Sequence, residues 1–171
     1  MNFDMQSFFR RDARQEWRVI GITLLLAFLL KQIPWQGWAL LLRPDFVLVM
    51  LLFWAQRREA GISFGLAFVL GLVTDVQDGV VLGQHALAYC VGIFLVQNFQ
   101  RRLAMFTLRH QALQIFPLLL LTEIVALVAG WISTRTPQGG WVIASAVTGT
   151  LLWWAVAYAG RMPAARTART E

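Results

Sequence analysis

Six apolar stretches occupy most of this chain, and the basic residues between them fall on alternate connections. A bilayer-spanning helix needs about 20 mainly apolar residues, and in lipid the backbone must satisfy its own hydrogen bonds, so such stretches become helices. The stretches cover residues 17–33, 40–55, 62–75, 80–96, 115–131 and 141–159. The reading is all-α: a polytopic membrane protein with a six-helix transmembrane domain over 17–159. Residues 1–16 form a cytoplasmic segment, with Phe3, Met5, Phe8 and Phe9 set among charges so that it can lie at the interface. Residues 160–171 form a short basic cytoplasmic tail, expected to be disordered.

Lys and Arg accumulate on the cytoplasmic side of membrane proteins. With the N-terminus inside, Arg10, Arg11, Arg14, Arg18, Arg57, Arg58, Arg101, Arg102, Arg109, Arg161, Arg166 and Arg169 all fall inside. Only Lys31, Arg43 and Arg135 of the 15 Lys and Arg fall outside. Both ends are basic, which requires an even number of spans and puts both termini in the cytoplasm.

Hydrophobic residues make up 58% of the chain and charged residues 14%, values of a helical membrane bundle rather than a soluble domain. The net charge of +6 does not point to nucleic acid, because the basic residues sit at membrane edges where they set topology and meet anionic lipid. Cys90 is the single cysteine and lies inside a span, so no intrachain disulfide or thiol-rich metal site forms; it reads as a small buried apolar residue. The first apolar core, 19–30, runs into Lys31-Gln32-Ile33-Pro34 without a small-x-small cleavage site, so it is expected to stay as a span.

The longest polar connection is 97–114. Phe99, Leu103, Phe106 and Leu113 recur at helical spacing, with Arg101, Arg102, Arg109 and His110 between them. That pattern predicts an amphipathic helix lying on the cytoplasmic surface or docking a partner.

Polar groups inside spans are costly and therefore informative. In Arg43-Pro44-Asp45-Phe46, proline suits the first turn of a helix and Asp45 one residue further in suits its dipole. A helix over 44–55 reaches only roughly 18 Å at about 1.5 Å per residue. Either 38–42 continues it through a break, a device found in transporter binding sites, or the membrane is locally thin. The simpler account is a plain helix start, with Arg43 pairing to Asp45 or to lipid phosphate. Further on, Asp75 ends a helix where the dipole disfavours a carboxylate. A cation, a cap for the next helix, or solvent must offset that. Ser63, Ala67 and Gly71 precede it at four-residue spacing, a small-residue stripe that drifts about 40° per step and predicts a close crossing rather than a long seam. Gly79 and Gly83 look like turn glycines. Gln84 and His85 follow. His110 is assigned to the opposite face, so a two-His metal site is not expected, and His85 reads as a hydrogen-bonded structural histidine. Glu123 sits mid-span and must face the bundle, as a proton or cation relay or as a neutral carboxyl donating a hydrogen bond to a neighbouring helix. It stands alone at the midplane, which favours the structural role. Of the eight tryptophans, Trp17, Trp35, Trp38, Trp54, Trp131 and Trp141 lie near span ends and read as interfacial anchors. Trp153 and Trp154 lie deeper, against a partner or lipid. No nucleotide loop, nucleophile–base pair or metal-ligand cluster appears, so no cofactor is expected.

Several of these segments, taken in order, resemble the MreD family of rod shape-determining proteins. The resemblance is carried by Arg43-Pro44-Asp45-Phe46, Phe53-Trp54-Ala55 and Arg57-Arg58. It continues through Gly65-Leu66-Ala67-Phe68-Val69-Leu70-Gly71-Leu72-Val73-Thr74-Asp75, then Gly79 and Leu82-Gly83-Gln84-His85-Ala86-Leu87-Ala88-Tyr89, and ends in Arg101, Arg102 and Gln111-Ala112-Leu113. It spans roughly 17–159. Glu123 departs from it, since an uncharged polar residue such as glutamine is commoner there.

The resemblance implies a non-enzymatic inner-membrane scaffold of bacterial cell-wall elongation. Its implied partners are MreC and, directly or through it, RodA, a penicillin-binding transpeptidase and MreB filaments. It also implies the six-helix fold of the substrate-binding subunits of energy-coupling-factor transporters. In that frame Phe99, Arg101, Arg102, Leu103, Phe106 and Arg109 are the candidate partner surface. The alternative is a substrate-binding transporter subunit, with Arg43, Asp45, Asp75, Gln84 and His85 lining an outward pocket. A membrane enzyme acting on lipid-linked precursors lacks a motif. Whether the protein is a homodimer stays open.

Overall fold

The computed structural model describes residues 5–37, 42–57, 61–134 and 142–161. Among them lie six helices and no strand: α1 Met5–Lys31, α2 Phe46–Ala55, α3 Phe64–Asp78, α4 Gln84–Met105, α5 Leu108–Thr134 and α6 Val142–Arg161. The helices spanning 109–133 and 142–159 are long and apolar enough to cross a membrane.

Four helices close a ring: α2 packs on α4 and α6, α4 on α5, and α5 on α6. The other two attach from outside, α1 chiefly on α2 and α3 chiefly on α4. Helix α2 is therefore the core of the molecule. Every residue of it except Met50 is buried, and Val47, Leu51 and Leu52 are sealed completely. A helix buried on all sides needs no polar face, which is why its sequence, Phe-Val-Leu-Val-Met-Leu-Leu-Phe-Trp-Ala, shows no amphipathic period. Around it pack Ile93 and Val96 of α4, Ile115 and Leu119 of α5, and Trp153 of α6.

The element boundaries correct the sequence reading in several places. Helix α2 starts two residues later than proline placement predicts. Pro44 lies outside it, and Asp45 is the N-cap, in extended backbone, with its carboxylate accepting from the N–H groups of Val47 and Leu48. Residues 42–45 are not helical, and positions 38–41, on which a broken second span depended, lie outside the described residues. Helix α4 starts at Gln84 rather than Val80, because Gly79 (φ 65°) and Gly83 (φ 102°) hold a turn in left-handed backbone that only glycine adopts freely. The small-residue stripe of α3 works as expected at Ala67 and Gly71. A Cβ on Gly71 would come within 2.3 Å of the Ala86 Cα, so α3 and α4 cross with their backbones nearly touching. Ser63 instead caps α3, its hydroxyl accepting from the Leu66 N–H.

The connection at 97–114 is not a separate surface helix. α4 runs on to Met105 and α5 begins at Leu108, leaving only Phe106 and Thr107 between them. Extending both helices satisfies the backbone more completely than a looped-out segment. The Thr107 carbonyl takes the Gln111 N–H at 2.9 Å, and the buried Gln111 amide donates back to the Phe106 carbonyl. The N-terminal segment likewise joins the first span, since α1 is continuous from Met5.

The tryptophans divide. Trp17 and Trp131 are exposed, as anchors should be. Trp35 is half-buried and stacks on Phe46 at 6.1 Å. Trp54 is not an anchor but a core residue, 8% exposed, whose indole N–H donates to the Thr23 hydroxyl of α1 at 3.0 Å. Trp153 is buried in the bundle, while Trp154 faces outward and stacks on Tyr158. Trp38 and Trp141 lie outside the described residues.

Candidate functional site

The ends of α1 and α3 meet the starts of α2 and α4, and there the chain gathers most of its inward-facing polar groups. Three aspartates organise them. Asp45, the cap of α2, accepts the Tyr89 hydroxyl of α4 at 2.6 Å, and the same hydroxyl lies 3.4 Å from Thr74 of α3. One phenol thus joins three helices.

Asp75 sits in the last turn of α3, 0% exposed. Its unfavourable position against the α3 dipole is offset by capping the next helix. One carboxylate oxygen accepts the Gly83 N–H at 2.7 Å, and the other accepts the His85 N–H at 2.7 Å. The His85 Nδ1 lies 2.8 Å from that second oxygen. An ionised carboxylate only accepts, so Nδ1 carries the hydrogen. His85 is therefore the hydrogen-bonded structural histidine that the sequence reading favoured.

Asp78 ends the same helix and collects cations. Lys31 of α1, 4% exposed, reaches it at 2.7 Å, Arg43 at 3.4 Å, and the His85 Nε2 stands 3.8 Å away. Arg43 thus pairs with Asp78 rather than with Asp45, because the Asp45 carboxylate is already committed to its own helix and to Tyr89. Gln84 leaves this cluster and lies against α5: a Cβ on Gly130 would stand 2.7 Å from its Oε1.

Of the five residues expected to line an outward pocket, three share one network around Asp78, namely Arg43, Asp75 and His85. Asp45 bonds Tyr89 beside it, and the Tyr89 and His85 rings meet edge-on with centroids 6.0 Å apart. Gln84 turns away. The sequence reading missed Lys31, Asp78 and Tyr89 as members. Each carboxylate oxygen of Asp45, Asp75 and Asp78 already has a donor or cation within the chain. These aspartates therefore tie helices together, while the Gln77 Oε1 in the same last turn of α3 is buried without a hydrogen-bond partner among the described residues. Among the described residues no three His, Cys, Asp or Glu side chains are disposed to hold a metal ion.

The opposite end of the bundle is neutral where it is buried and charged where it is exposed. The Gln97 amide donates to the Ile62 carbonyl at 3.0 Å, and the Gln100 amide donates to the Ala55 carbonyl at the end of α2. The Arg57 guanidinium lies over the rings of Phe53 and Trp54, at 4.7 and 5.3 Å. Of the candidate partner surface, Phe99, Phe106 and Arg109 are exposed, with Phe106 stacked on His110. The side chains of Arg101, Arg102 and Leu103 lie outside those described. Between the two ends, Glu123 accepts the Ser145 hydroxyl of α6 at 2.8 Å, a bond between neighbouring helices in which the carboxyl is the acceptor rather than the expected donor.

Apolar helices fastened to one another by inward-facing polar groups are the build of a helical membrane protein. More specifically, the chain belongs to the rod shape-determining protein MreD family, whose profile matches residues 13–159. A rod shape-determining protein MreD of Haemophilus influenzae is 31% identical over 81 residues, covering 47% of this chain and 50% of that protein. The match therefore spans about half the length of that curated relative. No solved structure matches the chain. Membership places the protein in the membrane-bound machinery of rod shape determination, in a family not known for enzymes.

Proposed function

We propose that this chain is a non-enzymatic inner-membrane scaffold of cell-wall elongation, which binds MreC and through it connects wall synthases to cytoplasmic MreB filaments. The observation that carries the reading is that the carboxylates of this end are already engaged within the chain. A ligand-binding subunit needs polar groups left free for its ligand, whereas here Asp45, Asp75 and Asp78 are all used to hold helices in place. The same reading takes the six helices as spans with both termini in the cytoplasm. In support, Lys31 and Arg43, which the charge count assigns to one side of the membrane, meet at Asp78 at one end of the bundle. The exposed Phe99, Phe106 and Arg109 at the other end then face cytoplasmic partners. The fold would resemble that of the substrate-binding subunits of energy-coupling-factor transporters.

The test is affinity purification from the native host in mild detergent, with co-purifying proteins identified by mass spectrometry. The scaffold reading expects a single-span protein with a periplasmic domain, together with wall synthases. Recovery of ATPase subunits with a membrane coupling protein would overturn it in favour of a transporter.

A further inference from the structure

Helix α1 is held differently from the rest of the bundle. In lipid, apolar burial gives helices no hydrophobic drive to associate, because lipid tails are as apolar as leucine; close packing and polar bonds do the work. α1 packs chiefly on α2. It has two polar ties to other helices, the Thr23–Trp54 hydrogen bond and the Lys31–Asp78 ion pair. Between those ties it buries only Leu24 and Ala27, with Phe28 partly covered. Ile22, Leu25, Leu26, Leu29 and Leu30 all face away. The polar tie that holds the last two turns of α1 is therefore the Lys31–Asp78 ion pair.

Asp78 is also built to survive the loss of Lys31. Lys31 occupies one oxygen, while Arg43 sits on the other. The His85 Nε2 waits 3.8 Å from the oxygen that Lys31 would vacate. Lys31 stands at the end of its helix, where a long side chain can reach the membrane surface. Both partners of the ion pair thus have a second arrangement.

We propose that the segment of α1 beyond Thr23 is a strap, pivoting at the Thr23–Trp54 bond and latched by Lys31 on Asp78. With the latch open, the flank of α2 beneath Leu24 and Ala27 faces the bilayer.

The test uses full-length protein in lipid nanodiscs. Spin labels are placed at Leu29→Cys and Val76→Cys, both exposed positions, on a Cys90→Ala background, and their separation is measured by pulsed electron resonance. The unmutated latch gives one short distance. Lys31→Gln adds a second, longer population, and Asp78→Asn, which keeps the side-chain shape, does the same. Lys31→Arg restores the single short distance. Arg43→Gln leaves it in place, because Arg43 holds Asp78 without touching α1. A single unchanged distance in both Lys31→Gln and Asp78→Asn overturns the proposal, as does an equal widening in Arg43→Gln. Should Lys31→Gln not fold, Asp78→Asn against Lys31→Arg carries the same comparison.

Discussion

The two ends of this bundle solve one problem with different chemistry. Both must terminate helices whose last backbone groups lack partners. At the cluster end the chain spends carboxylates on N–H groups and balances them with the buried Lys31 and the half-buried Arg43. At the opposite end it uses neutral amides, Gln97 and Gln100, on carbonyl groups, and leaves Arg57 and Arg109 exposed. A buried charge without its partner is far more costly than an unpaired amide. Within the cluster the fully buried Asp75 is therefore the residue least able to be lost, since Asp78 keeps Arg43 when Lys31 goes, and the opposite end is better able to change while keeping the fold.

The sharpest way to break this contrast is Asp75→Ala. It removes the acceptor of the Gly83 and His85 N–H groups and of the His85 ring. A buried donor left without its acceptor costs about 1–3 kcal/mol, and this change strands several at once, so reversible unfolding in mixed micelles should show a loss above the range for a single group. A loss near zero would mean that water reaches the turn before α4. At the opposite end Gln100→Ala strands the Ala55 carbonyl. One buried unsatisfied acceptor costs about 1–3 kcal/mol, so the same measurement should give a clearly smaller loss. If the two losses are equal, the ends do not differ as argued.

Trp54→Phe tests a narrower point. The ring stays and only the bond to Thr23 goes, an expected loss of about 0.5–1.5 kcal/mol. Its double mutant with Thr23→Val should lose less than the two single changes added together, since both delete the same bond, although Thr23→Val also removes the hydroxyl's bonds to the Val19 and Ile20 carbonyls; fully additive losses would mean that the indole has another partner.

How much of this was open to sequence reasoning depends on the range of each contact. Local chemistry was legible. Gly79 and Gly83 announce the turn, and the dipole argument at Asp75 already includes a cap for the next helix among its remedies. Gly71 announces the close crossing with α4. Long-range pairings were not legible. Arg43 and Asp78 are 35 residues apart, and Tyr89 and Asp45 are 44 apart. Nothing local distinguishes Asp78 from its neighbours as the place where Lys31 lands. Trp54 was misread for a related reason. Its place near a span end suits an interfacial anchor, but its direction is set by α1, which only the assembled bundle brings alongside. The segment at 97–114 misled because its period is helical throughout. Periodicity identifies the helix but does not say that two spans simply extend into it.

The smallest expected effect is the most useful discriminator between stability and function. Arg57 is exposed, and its contacts with Phe53 and Trp54 are its cation–π pairings, worth about 0.5–1 kcal/mol at an exposed site. Arg57→Gln should therefore lower unfolding stability by no more than that. Its charge is one of many that set orientation, so tagging of the termini should still find both on the same side. If the variant keeps its stability and orientation but loses co-purifying partners, the exposed arginines of this end act in recognition, and the neutral amides beside them carry the fold. If it loses stability on the scale of Asp75→Ala, the cation is a hidden member of the core, and the division of labour between the two ends fails.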